Sequence, residues 1–149
     1  ATLMPDFPTF SFKSINTAHQ KRGFPISKLG FFVGYHYVIE YDGHIKQARA
    51  ETEIGAHDKD ENFNSIGICL AGNFNFWKPS EEQAKKAANL VAEIIKRWNI
   101  PLKKIEPHRW NDKTDCPGRR LGDYWLVRNY IKRKLSWSKK LYWLMKFKK

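Results

Sequence analysis

Val33-Gly34-Tyr35-His36-Tyr37-Val38-Ile39-Glu40-Tyr41, followed by Asp42-Gly43 and then His44-Ile45-Lys46-Gln47, decides the fold class. Aromatic and β-branched residues dominate the first run, and such side chains pack well on a pleated surface. Asp-Gly supplies the turn chemistry of a tight connection, so the stretch predicts a β-hairpin. Downstream, Asn64-Ser65-Ile66-Gly67-Ile68-Cys69-Leu70-Ala71-Gly72 reads as a third strand, apolar enough to be covered on both faces. Residues 14–22 read as a short helix stopped by Gly23 and Pro25. Ser80 and Gln83 form a capping box that opens a longer helix. Its Ala84, Ala87, Ala88, Val91, Ile94, Ile95 and Trp98 fall on one apolar stripe, and Pro101 ends it. Pro107 fixes the approach to His108, and a further helix after Gly118 uses Leu121, Tyr124, Trp125 and Ile131. The order α, β, β, β, α, loop, α predicts an α/β domain with a mixed central sheet and helices packed on it.

A chain of 149 residues is long enough for one two-layer core and short for two. The expected division is a domain over 1–131 and a basic tail over 132–149. The tail interleaves Lys and Arg with Leu135, Trp137, Leu141, Trp143, Leu144 and Phe147. Such a segment either lies on an anionic interface or docks its apolar side on the domain with its lysines solvated. The formal net charge of +12 predicts attraction to polyanions. No nucleic-acid reading module accompanies that charge, so a specific nucleic-acid partner is not expected. Two cysteines permit at most one disulfide, and Cys69, inside an apolar strand, reads as a core residue. No apolar run approaches the roughly 18 residues of a membrane span, and Ala1-Thr2-Leu3-Met4-Pro5-Asp6 lacks the basic and apolar regions of a signal peptide.

The chemistry centres on His108 through Cys116-Pro117-Gly118. A Cys eight positions after a His, in a loop closed by Pro-Gly, looks like part of a zinc site. Catalytic zinc takes three protein ligands and leaves one position for water. His108 and Cys116 supply two. Cys116 as a nucleophile with His108 as base is the alternative, but no third, orienting group is evident.

These blocks, with Gly55-Ala56-His57, together resemble the zinc-dependent N-acetylmuramoyl-L-alanine amidases, which include amidase-type phage lysozymes and the animal peptidoglycan recognition proteins. The resemblance runs over about residues 1–130. It implies a fold of that family, Zn2+ as cofactor, His108 and Cys116 as two of its ligands, and Tyr35 and Thr114 in catalysis. It also places Arg49, His57 and Asn64 beside the cleft that receives glycan and stem peptide, with Arg49 pairing a peptide carboxylate. Bland readings stand beside these: a solvated charge for Arg49, a solvent-side His57, and a simple turn for Asn64-Ser65. Strand alternation would put Tyr35 and His36 on opposite faces, leaving His36 structural; His19 reads as helix packing and His44 as solvated.

The family's first ligand is a His on a strand before a small turn that Ala1-Thr2 resembles at its end, so the resemblance places it ahead of residue 1. Three readings stay open: an active parent that carries this strand, a natural relative without the ligand that binds without cutting, or another histidine, His57 foremost, completing the site. The implied function is hydrolysis of the amide between N-acetylmuramic acid and L-alanine by a monomeric phage endolysin. It would be made in the host cytoplasm and act at the cell wall or periplasm, its partner being peptidoglycan, with anionic membrane or wall polymers meeting the tail. The alternative is an inactive peptidoglycan-binding or regulatory protein of the same fold.

Overall fold

The computed structural model describes residues 10–134. Ser11 caps the first helix, α1 (Phe12–Lys21), its hydroxyl accepting from the backbone of Ser14 while the Ser14 hydroxyl returns the bond to the cap. The helix begins two residues before the expected start because this Ser-Ser box satisfies its first amides. Strands β1 (Tyr37–Ile39) and β2 (Ile45–Gln47) pair antiparallel with Ile39 opposite Ile45. Between them Gly43 turns the chain with φ +86°, and the Asp42 carboxylate accepts from His44 N at 2.9 Å. Strand β3 (Ile68–Leu70) joins β1 in parallel, Val38 opposite Cys69, giving the order β2-β1-β3.

Only the central strand is fully buried. The expectation that the third strand is covered on both faces is corrected: Ile68, Cys69 and Leu70 are each only partly buried, because β3 is an edge among the described residues. Cys69 accordingly sits at the margin of the core, although burial still pushes its thiol up to about 12.

The two faces of β1 take one helix each. Val38 packs with Phe12 of α1, Val33, Ala48 and Ala71. Tyr37 and Ile39 pack with Ala87, Leu90 and Ile94 of α2 (Glu81–Trp98). Since neighbouring strand residues face opposite ways, α1 and α2 lie on opposite sides of the sheet. The Ser80–Gln83 capping box is present, and Gln83 does more than cap. Fully buried, it donates from Nε2 to Ile39 O at 3.2 Å and Ala71 O at 2.9 Å, stapling α2 to the ends of β1 and β3.

Trp98 departs from the expected stripe: it is 47% exposed and its indole donates to Glu51 at 2.5 Å. Leu90 takes a core place instead. Asn99, in the left-handed conformation, ends the helix. Residues 125–134 are helical (α3) and Tyr130 is buried in it, whereas Tyr124, expected on the apolar side, is 53% exposed before the helix starts. The helix runs across the expected 131/132 boundary; the remainder of the basic tail lies outside the described residues.

Candidate active site

Parallel pairing brings the entry ends of β1 and β3 together, and the candidate site is built there. Gly67 O accepts from the backbone of both His36 and Tyr37, at 2.9 and 3.1 Å. Gly67 N returns a bond to His36 Nδ1 at 3.0 Å, while His36 Nε2 lies 2.9 Å from Glu53 O. An Nδ1 that accepts and an Nε2 that donates define one neutral tautomer. Complete burial lowers the pKa of His36 and keeps it so. His36 is structural, as expected, but the alternation argument does not reach Tyr35. The strand begins only at Tyr37 and residues 34–36 are bent, so Tyr35 packs with the Val38 side of the sheet rather than with Tyr37.

His57 occupies a slot between two glycines. A Cβ added at Gly55 would stand 2.3 Å from His57 Nδ1, and one at Gly67 2.6 Å from its Cγ. The ring nitrogens are engaged at 3.2 Å by Gly34 O and at 3.1 Å by Ser65 Oγ. Burial, foremost, lowers its pKa to about 4, with the charge of His108 adding in the same direction. The loop does not leave this histidine free to move: glycine-shaped space and two hydrogen bonds hold it neutral and in place.

Tyr35 lies between histidines, its ring 5.9 Å from His19 on one side and 5.9 Å from a stacked His57 on the other. His19 reaches it from α1, accepting from Gly34 N at 3.0 Å through Nδ1. Burial, followed by the charges of Cys69 and Cys116, raises the Tyr35 pKa well above its ordinary value. Its phenol therefore remains a proton donor across the physiological range.

His108 opens a 3-10 turn (His108–Trp110) behind Pro107, with its Nε2 2.9 Å from Asp112 Oδ2. Cys116 is exposed; its backbone N donates to Thr114 Oγ1 at 3.2 Å. Arg109 closes the loop by donating to Gly118 O at 3.1 Å. Residual burial of the sulphur outweighs the opposing Arg109 charge and raises the thiol pKa, which leaves little thiolate and weakens the nucleophile reading.

Two residues that the sequence reading passed over secure this arrangement. Asn62 Oδ1 accepts from His57 N at 2.8 Å and Asp58 N at 2.9 Å, an acceptor-side cap of the kind Asn makes in turns. Buried Asp58 accepts from Asn111 Nδ2 at 2.8 Å, tying the His57 loop to the His108 loop.

Arg49 is corrected. It is 3% exposed and its guanidinium donates to Val33 O at 2.8 Å and Pro25 O at 2.6 Å. A side chain spent on backbone carbonyls in the interior braces the strand entry and does not face a ligand. Asn64 is exposed in the turn before β3, its N donating to Glu61 O at 3.0 Å, and His44 is exposed.

A metal would find an imidazole and a thiol at His108 and Cys116, donors of the type zinc takes. Among the described residues no group of three His, Cys, Asp or Glu is placed to hold one. His36 and His57 have both ring nitrogens engaged, so His57 is not a ready substitute for a third ligand.

The profile of the family described as N-acetylmuramoyl-L-alanine amidase matches residues 5–119. An endolysin of Escherichia phage T7 is 46% identical over 101 residues, covering 62% of this chain and 64% of that protein. Peptidoglycan-recognition protein LB of Drosophila melanogaster is 37% identical over 90 residues, covering 60% and 39%. Among solved structures, the endolysin N-acetylmuramoyl-L-alanine amidase LysCS of Clostridium intestinale superposes with a TM-score of 0.69 at 28% identity, covering 85% of this chain and 74% of that one. The chain thus spans less than two thirds of the length of these curated relatives.

Proposed function

Because the chain belongs to the N-acetylmuramoyl-L-alanine amidase family, matched over residues 5–119, we propose that it hydrolyses peptidoglycan at the amide joining N-acetylmuramic acid to the L-alanine of the stem peptide, as a phage endolysin. The observation that supports the proposal is that the stacked Tyr35 and His57 are tied through Asn62, Asp58 and Asn111 to the loop that bears His108 and Cys116.

In this reading His108 and Cys116 would hold Zn2+ together with a third donor, and the metal would supply polarisation of the scissile carbonyl and a hydroxide near neutral pH. Tyr35 donates its phenolic proton in a hydrogen bond to the oxygen that gains charge in the transition state. Burial suits it to that role, since the proton is not lost at working pH. Thr114 holds the Cys116 backbone and offers a neutral hydroxyl beside it. His57 supplies a fixed, neutral polar wall for the substrate, and Asn64 an exposed amide at the rim. Asp112 orients the His108 ring, the outer support metal-binding histidines usually have.

A second reading, binding of peptidoglycan without turnover, is favoured by the count of two donors among the described residues. One experiment separates the two. Zinc content is measured on this chain and on a form extended upstream by its native gene, alongside release of stem peptides from purified wall. Zinc near one per chain together with release, both lost in Cys116→Ser, supports the amidase. Wall binding with neither zinc nor release in both forms overturns it in favour of the binding reading.

A further inference from the structure

Apart from the residues of the candidate site, the N-terminus of α2 and the helix α3 flank a half-open groove of about 540 Å3, within the usual size range of small-ligand sites. Its walls carry Lys78, Arg120, Arg128, Lys132 and Arg133 around the ring of Trp125, against a single carboxylate, Glu81. Glu81 is already taken: Arg133 pairs with it at 2.7 Å and is steadied by Asn129 Oδ1 at 3.1 Å. Asn129 is itself fixed to Ala84 O at 2.6 Å, so this part of the wall is built rather than loose.

The other four cations have no carboxylate within ion-pair distance among the described residues. Four like charges around one concavity repel each other, and a multiply charged anion relieves that repulsion. Residues 135–149 add five lysines and no Asp or Glu to the composition of this end of the chain. Guanidinium forks match phosphate oxygens two at a time, and Trp125 offers an apolar floor for the body that carries the phosphates. We propose that this groove binds a ligand bearing two or more phosphate groups, at a site separate from the amidase cleft.

The site is tested by calorimetry with tripolyphosphate at 0.1 M NaCl on the folded chain, wild type and R120Q/R128Q, with K103Q/K104Q as a charge-matched control on the exposed turn after α2. Two lost charge-assisted contacts predict binding weakened at least about tenfold in R120Q/R128Q and nearly unchanged in the control. Phosphatidylcholine vesicles with one tenth cardiolipin, a lipid with two phosphates, separate the sources. Vesicle binding lost in R120Q/R128Q identifies lipid headgroups as a source, whereas vesicle binding that survives it, with tripolyphosphate binding lost, identifies free phosphates. Absence of tripolyphosphate binding, or equal losses in both variants, overturns the proposal. Duplex DNA binding that is tighter than tripolyphosphate and is lost in R120Q/R128Q overturns it in favour of a nucleic-acid surface. Far-UV circular dichroism confirms that both variants are folded.

Discussion

Gly34→Ala is expected to unfasten the candidate site by steric force alone. The new Cβ would sit 2.1 Å from Ala56 O and 2.8 Å from Ala56 C, backbone atoms that no rotamer change can move aside. Relief to ordinary contact requires a shift of roughly 1 Å between the two segments, enough to stretch hydrogen bonds near 3 Å beyond useful length. Three converge on this residue: Ala56 N to Gly34 O at 2.9 Å, Gly34 O with His57 Nδ1 at 3.2 Å, and Gly34 N to His19 Nδ1 at 3.0 Å. Losing two or three at about 1 kcal/mol each, plus about 1–3 kcal/mol of overpacking, gives a destabilisation of about 3–6 kcal/mol. For a domain of this size that corresponds to a fall in Tm of roughly 10–20 °C. Urea unfolding followed by tryptophan fluorescence measures it, with Gly23→Ala as reference, because nothing lies within 4 Å of a Cβ there and only its φ of +75° opposes the change. A Gly34→Ala loss below about 1 kcal/mol, or no greater than that of Gly23→Ala, would refute the steric argument.

Other expectations follow from individual groups. Arg49→Met should lower stability by about 2 kcal/mol, since two carbonyls lose their charged donor, while KM for wall fragments stays within about twofold; a large rise in KM at unchanged stability would restore Arg49 as a substrate contact. Glu51 accepts from Tyr37, Arg97 and Trp98, and the Arg97 bonds foremost depress its carboxyl to about 2. Its stabilisation is present above the ordinary carboxylate range and is lost as pH falls through about 2, so Glu51→Gln should cost about 1–2 kcal/mol at pH 7, discounted for the half-exposed Arg97, and should show a flatter acid limb in thermal scans. His57, depressed to about 4 from 6.5, is bound neutral by the fold. Stability is therefore full above about 6.5 and declines as pH drops from there toward 4, where the unfolded chain takes up the proton first. His57→Asn should reduce that slope in urea titrations between pH 6.5 and 4, and an unchanged slope would assign it to other groups.

Most of the elements, and the family, are legible along the chain. Periodicity, the Asp42-Gly43 turn and the Ser80–Gln83 box are local signals, legible because the physics that fixes them spans only a few residues. The blocks around Tyr35, His57 and His108 through Cys116 are specific enough together to imply the family membership that the family profile bears out. Groups whose partners lie far along the chain become readable only once the fold brings them together. Arg49 looks like any strand-end charge until Val33 O and Pro25 O close on its guanidinium, and Trp98 looks like core until Glu51, 47 residues away, gives its indole a partner. The bend at residues 34–36 removed the alternation argument for Tyr35, since a two-residue period holds only where a ladder enforces it. The fixed, neutral state of His57 depends likewise on two glycines that are 12 residues apart in sequence yet flank one ring. Burial and hydrogen-bond partnership are properties of the folded neighbourhood, and a linear pattern carries them only where the neighbours are also neighbours in sequence.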